Sequence, residues 1–125
     1  MLNDPLAAAG RNAPSGKPTA GSLKADLAVV ELVAAEAGID KARILGRARS
    51  RDVAEARQIA MYLLAVAEAR SFAVIGKLFG RCRQTVAYAC VKIEDLREGP
   101  AFDRRISALE DRLADAASGA EAADA

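Results

Sequence analysis

The stretch SFAVIGKLFGRCRQTVAYACVKIEDLR, residues Ser71 to Arg97, decides the fold. Ser71 can cap a short helix over Phe72–Phe79 by accepting a first-turn N–H, Ile75 and Phe79 lie four apart on one face, and Gly80 supplies a left-handed stop. After a tight connection the spacing predicts a second helix from about Arg83 to Arg97, with Val86, Ala89, Cys90, Ile93 and Leu96 inward. Helix, glycine-containing turn, helix is the outline of a helix-turn-helix. Such a unit presents the N-terminal end of its second helix to a DNA groove, and here that end reads Arg81-Cys82-Arg83-Gln84-Thr85. These side chains can hydrogen-bond base edges and phosphates.

Working upstream, Asp52 followed by Glu55 comes close to a capping box and opens a long helix through about Arg70. Val53, Ala56, Ile59, Ala60, Leu63 and Ala67 make its expected buried face. Before it lies a basic loop, Arg47-Ala48-Arg49-Ser50-Arg51, and before the loop a short helix, Lys41 to Leu45, capped by Asp40 and ended by Gly46. A first helix carries Leu23, Leu27, Val30, Ala34 and Ala37 at spacings of three and four and stops at Gly38.

Downstream, Gly99 and Pro100 end the second helix of the pair, and a last helix runs from Ala101 to about Ala116. Its stripe of Phe102, Ile106, Leu109 and Leu113 is expected to pack back on the domain. The chain therefore reads as all-α, a compact bundle of about six helices. Hydrophobic residues make up 52% of it, aromatics only 4%, and nothing alternates at strand period. Residues 1–21 hold all but one of the four prolines and no apolar periodicity, which predicts a disordered tail. Residues 22–116 form the expected domain, and residues 117–125 an acidic disordered tail.

Charge is segregated along the chain. Residues 1–40 hold three Lys or Arg and five Asp or Glu, residues 41–92 eleven and three, and residues 93–125 four and nine, within a net charge of +1. A basic middle in a nearly neutral chain implies an anionic partner for that part, with double-stranded DNA ahead of a membrane surface. The longest apolar run without charge or glycine, Gln58 to Ala67, is about ten residues against the ~20 that span a bilayer, and the first residues lack a secretory pattern. A cytoplasmic, nucleoid-associated location follows as the expectation.

The sequence has no histidine and two cysteines, so a Cys/His zinc site lacks most of its ligands, and no cofactor is expected. Cys82 and Cys90 sit in or beside one helix, more than two turns apart, which disfavours a disulfide. Cys90 reads as a small core residue and Cys82 as an exposed turn residue. No paired carboxylates or nucleophile-base spacing point to an enzyme.

Ser50 to Leu63 (SRDVAEARQIAMYL) and Gly80 to Glu98 (GRCRQTVAYACVKIEDLRE) resemble, respectively, the basic loop with its following helix and the signature helix of the C-terminal DNA-binding domain of the bacterial replication initiator DnaA. The similarity covers roughly residues 23 to 110, and the order of elements agrees. The resemblance implies that Arg49, within the loop of Arg47, Ser50 and Arg51, inserts into the minor groove. It implies that Arg57 and Gln58 hold phosphates, that Phe72 touches the sugar-phosphate backbone or a groove-edge base, and that Thr85 contacts a phosphate. Lys77 is a weaker phosphate candidate.

Departures bear on specificity. Where the family reads bases with Asp, His and Thr, this chain has Cys82, Arg83 and Gln84. The turn is one residue shorter, and Glu55-Ala56 replaces an Arg-Pro pair, so the initiator's own box is not the expected target. The chain carries no Gly-x-x-x-x-Gly-Lys-Ser/Thr run, so no nucleotide-driven assembly is expected. The leading expectation is a sequence-specific transcription regulator, similar to the DNA-binding portion of gene-transfer-agent activators of α-proteobacteria. The alternatives are a replication regulator competing at origin sites and an interaction adaptor that has lost DNA binding. RNA polymerase or another regulator is a candidate partner through the tails or the C-terminal helix.

Overall fold

A computed structural model describes the backbone of residues 20–124 and the side chains of residues 23–116. The expected N-terminal tail, except for its last two residues, lies outside the described residues. Six helices follow in order: α1 (Ala20–Ala37), α2 (Lys41–Leu45), α3 (Arg51–Val66), α4 (Phe72–Phe79), α5 (Arg83–Leu96) and α6 (Pro100–Asp124). The described residues contain no strand, and the fold is all-α.

Local chemistry sets most of these ends. Asp40 accepts the N–H of Ala42 at 3.0 Å to start α2, and Ser71 accepts that of Val74 at 3.1 Å to start α4. Gly38 and Gly80 take φ of +70° and +66°, the left-handed geometry that a helix stop requires. The long helix departs from expectation at both ends. It starts at Arg51 with Ser50 as N-cap, while Asp52 accepts from its neighbours Ser50 and Val53, and Glu55 reaches Arg105 instead of closing a capping box. It stops at Val66, short of Arg70, and Ala69 takes φ of +55° in the turn that follows.

α3 is the axis of the molecule. Ten of its sixteen residues are buried, Met61, Tyr62, Leu64 and Ala65 among them, because α1, α2, α4 and α5 pack around it. A one-sided stripe was expected, and Ala67, assigned to it, is exposed. Each of Ile59, Leu63 and Leu64 is fully buried, worth roughly 1.5–3 kcal/mol apiece. The buried face of α1 is also rotated from the expected one: Asp26, Val29, Val30, Val33 and Ala34 point inward, and Leu23 is exposed. Asp26 can be buried because Arg70 donates to its Oδ1 at 2.7 Å, closing the turn after α3 onto α1.

α6 packs as expected through fully buried Ile106 and Leu109, with Phe102 and Leu113 half-buried at the edge. Pro100 is its first residue rather than only the terminator of α5, and its backbone stays helical to Asp124, past the expected end near Ala116. Arg105 clamps it, donating to both carboxylate oxygens of Glu36 on α1 at 2.8 and 2.9 Å and to Glu55 on α3 at 3.2 Å.

Candidate nucleic-acid interface

α4, its turn and α5 form a helix-turn-helix whose corner is closed by backbone. The Arg81 N–H donates to the Gly76 carbonyl at 2.8 Å, and Gly80 bends the chain back in the left-handed region. Gly76 is buried, and a Cβ there would collide with the Arg81 carbonyl. This glycine inside a helix escaped the sequence reading, which attended only to Gly80.

α5 divides cleanly. Val86, Ala89, Cys90 and Ile93 are buried against α3 and α4, while Arg83, Gln84, Thr85, Tyr88 and Val91 face solvent. Leu96, expected inside, stands at the exposed edge of that face. Cys82 is the N-cap residue, fully exposed. Its Sγ lies 3.4 Å from Oγ1 of Thr85, a contact that lowers the thiol pKa from its ordinary value. Cys82, Arg83, Gln84 and Thr85 thus stand together at the outward N-terminal end of the helix, where the amide dipoles present positive charge.

The basic loop lies beside this end, tied to it by Nη2 of Arg81, which donates to the Gly46 carbonyl at 3.1 Å. Arg47, Arg49, Ser50 and Arg51 are exposed. Among the described residues, Arg47, Arg49, Arg51, Lys77, Arg83 and Lys92 are exposed and take part in no ion pair. Arg70, Arg97 and Arg105 are paired, whereas Lys24, Arg43, Arg104 and Arg112 are, like the six, exposed and outside any ion pair among the described residues. The Asp52 carboxyl beside the loop is held below its ordinary pKa by the Ser50 hydroxyl and the Val53 N–H, so it stays charged.

Three expected site residues have other surroundings. Arg57 is only 6% exposed, and its guanidinium donates to the carbonyls of Ile44, Arg43 and Ala48 at 2.7, 2.9 and 3.1 Å. Burial, with the Arg81 charge nearby, lowers its pKa from the ordinary arginine value. Gln58 is half-buried, with its Oε1 enclosed and unpartnered among the described residues, beside a cavity of about 200 Å³ that Arg57, Arg81, Thr85 and Tyr88 also line. Phe72 is half-buried at the start of α4 and packs on the core.

The far end of α5 is held by polar groups that sequence reasoning did not find. Tyr62 donates to Glu94 at 2.8 Å and accepts from Arg97 at 3.0 Å. Arg97 also reaches Asp103 at 2.6 Å, Glu110 at 3.1 Å and Ser107 at 3.1 Å on α6. Burial and the Glu94 contact push the Tyr62 phenol far above its ordinary pKa. These partners stand 6 to 35 residues apart in sequence, and no local pattern connects them.

An exposed helix N-terminus rich in donors, set beside a loop of unpaired arginines on a helix-turn-helix, defines a DNA-binding module of the helix-turn-helix class. Residues 27–93 match the family model described as the bacterial dnaA protein helix-turn-helix, and the chain belongs to that family. Its similar curated relatives are chromosomal replication initiator proteins DnaA. That of a Synechococcus strain is 39% identical over 87 residues, covering 68% of this chain and 19% of the relative. That of a Picosynechococcus strain is 36% identical over 104 residues, 81% of this chain and 23% of the relative, and that of Deinococcus radiodurans 35% identical over 86 residues, 68% and 18%. The chain spans about a fifth of the length of these relatives. The helix-turn-helix of this family is a DNA-binding and non-catalytic domain. No described helix is long and apolar enough to cross a membrane.

Proposed function

We propose that the chain is a sequence-specific transcription regulator that binds double-stranded DNA, with the N-terminal end of α5 in the major groove and the Arg47–Arg51 loop in the adjacent minor groove. The observation that carries this reading is the set of exposed, unpaired cations on the loop, on α4 and along α5, around Arg83 and Gln84. In it, Arg83 and Gln84 read base edges, with Arg suited to guanine and Gln to adenine. Arg49 reads groove width, and Thr85, Arg51, Lys77 and Gln58 hold phosphates.

Residues 22–116 act as the binding domain. The apolar stripe of α6 is packed inward, so a contact with RNA polymerase or another regulator falls to its outer face or to the terminal residues. Association with the nucleoid follows from the binding itself. Immunoprecipitation of the protein with its chromosomal DNA tests the reading. Enrichment at promoters is expected, enrichment confined to the replication origin would assign the protein to replication control instead, and recovery of no discrete sites would overturn sequence-specific binding.

A further inference from the structure

Two arginines within the interface are turned onto the protein's own backbone. Arg57 reaches the carbonyls of Arg43, Ile44 and Ala48, and Arg81 that of Gly46, so four carbonyls between Arg43 and Ala48 are covered by two guanidinium groups. Those of Arg43 and Ile44 belong to the last turn of α2, where carbonyls lack the full set of helical partners, and that of Arg43 accepts within the turn only the long 3.3 Å bond from the Gly46 N–H. A five-residue helix has little stability of its own, so these external donors determine where its end and the following loop lie. Arg57 projects from α3, the fixed axis of the fold, whereas Arg81 belongs to the turn immediately before α5. The loop backbone is thereby indexed to the helix that enters the major groove. At 6% exposure, Arg57 has almost no surface to offer a phosphate.

We propose that Arg57 is a positioning residue: by holding the loop carbonyls it sets Arg49 in the minor groove at one fixed distance from Arg83 and Gln84 in the major groove, with Arg81 tying the same loop to the recognition turn. This rests on the proposed DNA-reading function and replaces the phosphate contact that family resemblance implies for Arg57. A guanidinium is required, because its planar fork can serve several carbonyls at fixed angles and an ammonium cannot.

The test is site selection from random duplexes by the full chain and by its Arg57→Met and Arg57→Lys variants, with salt titration on a duplex lacking the selected motif. Both variants are expected to keep the major-groove half of the wild-type motif, and to lose the flanking A·T preference or accept it at several spacings. Binding to the best wild-type site should weaken about tenfold, as the loss of one groove contact implies. Affinity for the motif-free duplex should stay within about twofold with the same salt slope, because no phosphate contact is removed.

A uniform loss on both duplexes, with the salt slope shallower by about one, would mark Arg57 as a phosphate contact and overturn the proposal. Full rescue by Arg57→Lys would also overturn it. Should Arg57→Met fail to fold, amide exchange in Arg57→Lys without DNA decides: faster exchange confined to residues 43–51 is expected, and wild-type protection there refutes the indexing role. A wild-type chain that selects no motif sinks the DNA-reading function along with this proposal. A wild-type motif that both variants share in full sinks the positioning role alone.

Discussion

The carbonyl of Gly76 accepts the N–H of Arg81 at 2.8 Å, and the space where a Cβ of residue 76 would lie is occupied by the Arg81 carbonyl. The two helices of the DNA-binding unit meet at this point, and backbone on one side leaves nothing flexible to move aside. Gly76→Ala should therefore destabilise the domain by roughly 1–3 kcal/mol, the usual cost of overpacking, against the ~1 kcal/mol that alanine gains in a helix elsewhere. Urea unfolding checks this, and an unchanged or raised midpoint would contradict the close approach.

Binding to duplex DNA should be strongly salt-dependent, since Arg47, Arg49, Arg51, Lys77, Arg83 and Lys92 on the loop, α4 and α5 are exposed and outside any ion pair. A log-log slope of affinity against salt steeper than about −2 is expected, as several phosphates release their counterions. Fluorescence anisotropy across a salt series measures it, and a nearly flat line would remove the multi-phosphate interface.

Arg83 and Arg49 should fail differently. Arg83→Ala is expected to cost about 1–3 kcal/mol on the selected site and to relax preference at one base position. Arg49→Ala should weaken binding most on sites with a narrow A·T-rich flank, because a minor-groove arginine reads width rather than a unique base pattern. Selection experiments on the two variants separate these outcomes, and identical motifs for both and for wild type would refute the assignment.

Tyr62 predicts a pH effect. Its phenol is held neutral in the fold well above the ordinary value of 10.0, while in the unfolded chain it titrates near that value. The unfolded state alone gains from losing the proton, so this group's stabilising contribution is complete below about pH 10 and declines as pH rises further. Tyr62→Phe should lower stability at neutral pH by about 1 kcal/mol through the lost hydrogen bonds, yet lose less than wild type between pH 9 and about pH 11. Parallel declines of the two proteins in thermal melts would mean that Tyr62 titrates freely.

Trimming residues 1–19 should leave the melting temperature within about 2 °C, because among the described residues the core cluster begins at Val29 and the first buried polar contact is Asp26 with Arg70. Circular dichroism of the trimmed chain tests this domain boundary.

The elements whose ends depend on one side chain or one glycine were legible in the sequence: Asp40, Ser71, Gly38 and Gly80 act where their chemistry places them. Ala69 was not, since an alanine at positive φ carries no signal; the turn is closed by the Arg70 N–H, which donates to the Leu64 carbonyl at 3.0 Å, and by the Arg70 pair with Asp26. The rotation of α1 was hidden because a buried Asp26 reads as surface until its partner 44 residues away is known. At the site, the exposed tip of α5 and the loop arginines could be found from residue type and order. The inward turn of Arg57 could not, because an arginine on a phosphate and one on carbonyls have the same sequence.

α5 keeps its core residues and the proposed reading residues on separate sides: Val86, Ala89, Cys90 and Ile93 are buried, while Arg83 and Gln84 are exposed. Substitutions at such exposed positions usually alter stability by no more than about 0.5 kcal/mol. A lineage can therefore retarget the module to a new set of DNA sites through changes at two or three codons, with little risk to folding at any intermediate step. The same scaffold can serve initiators and regulators alike, and divergence in what it recognises can outpace divergence in its shape.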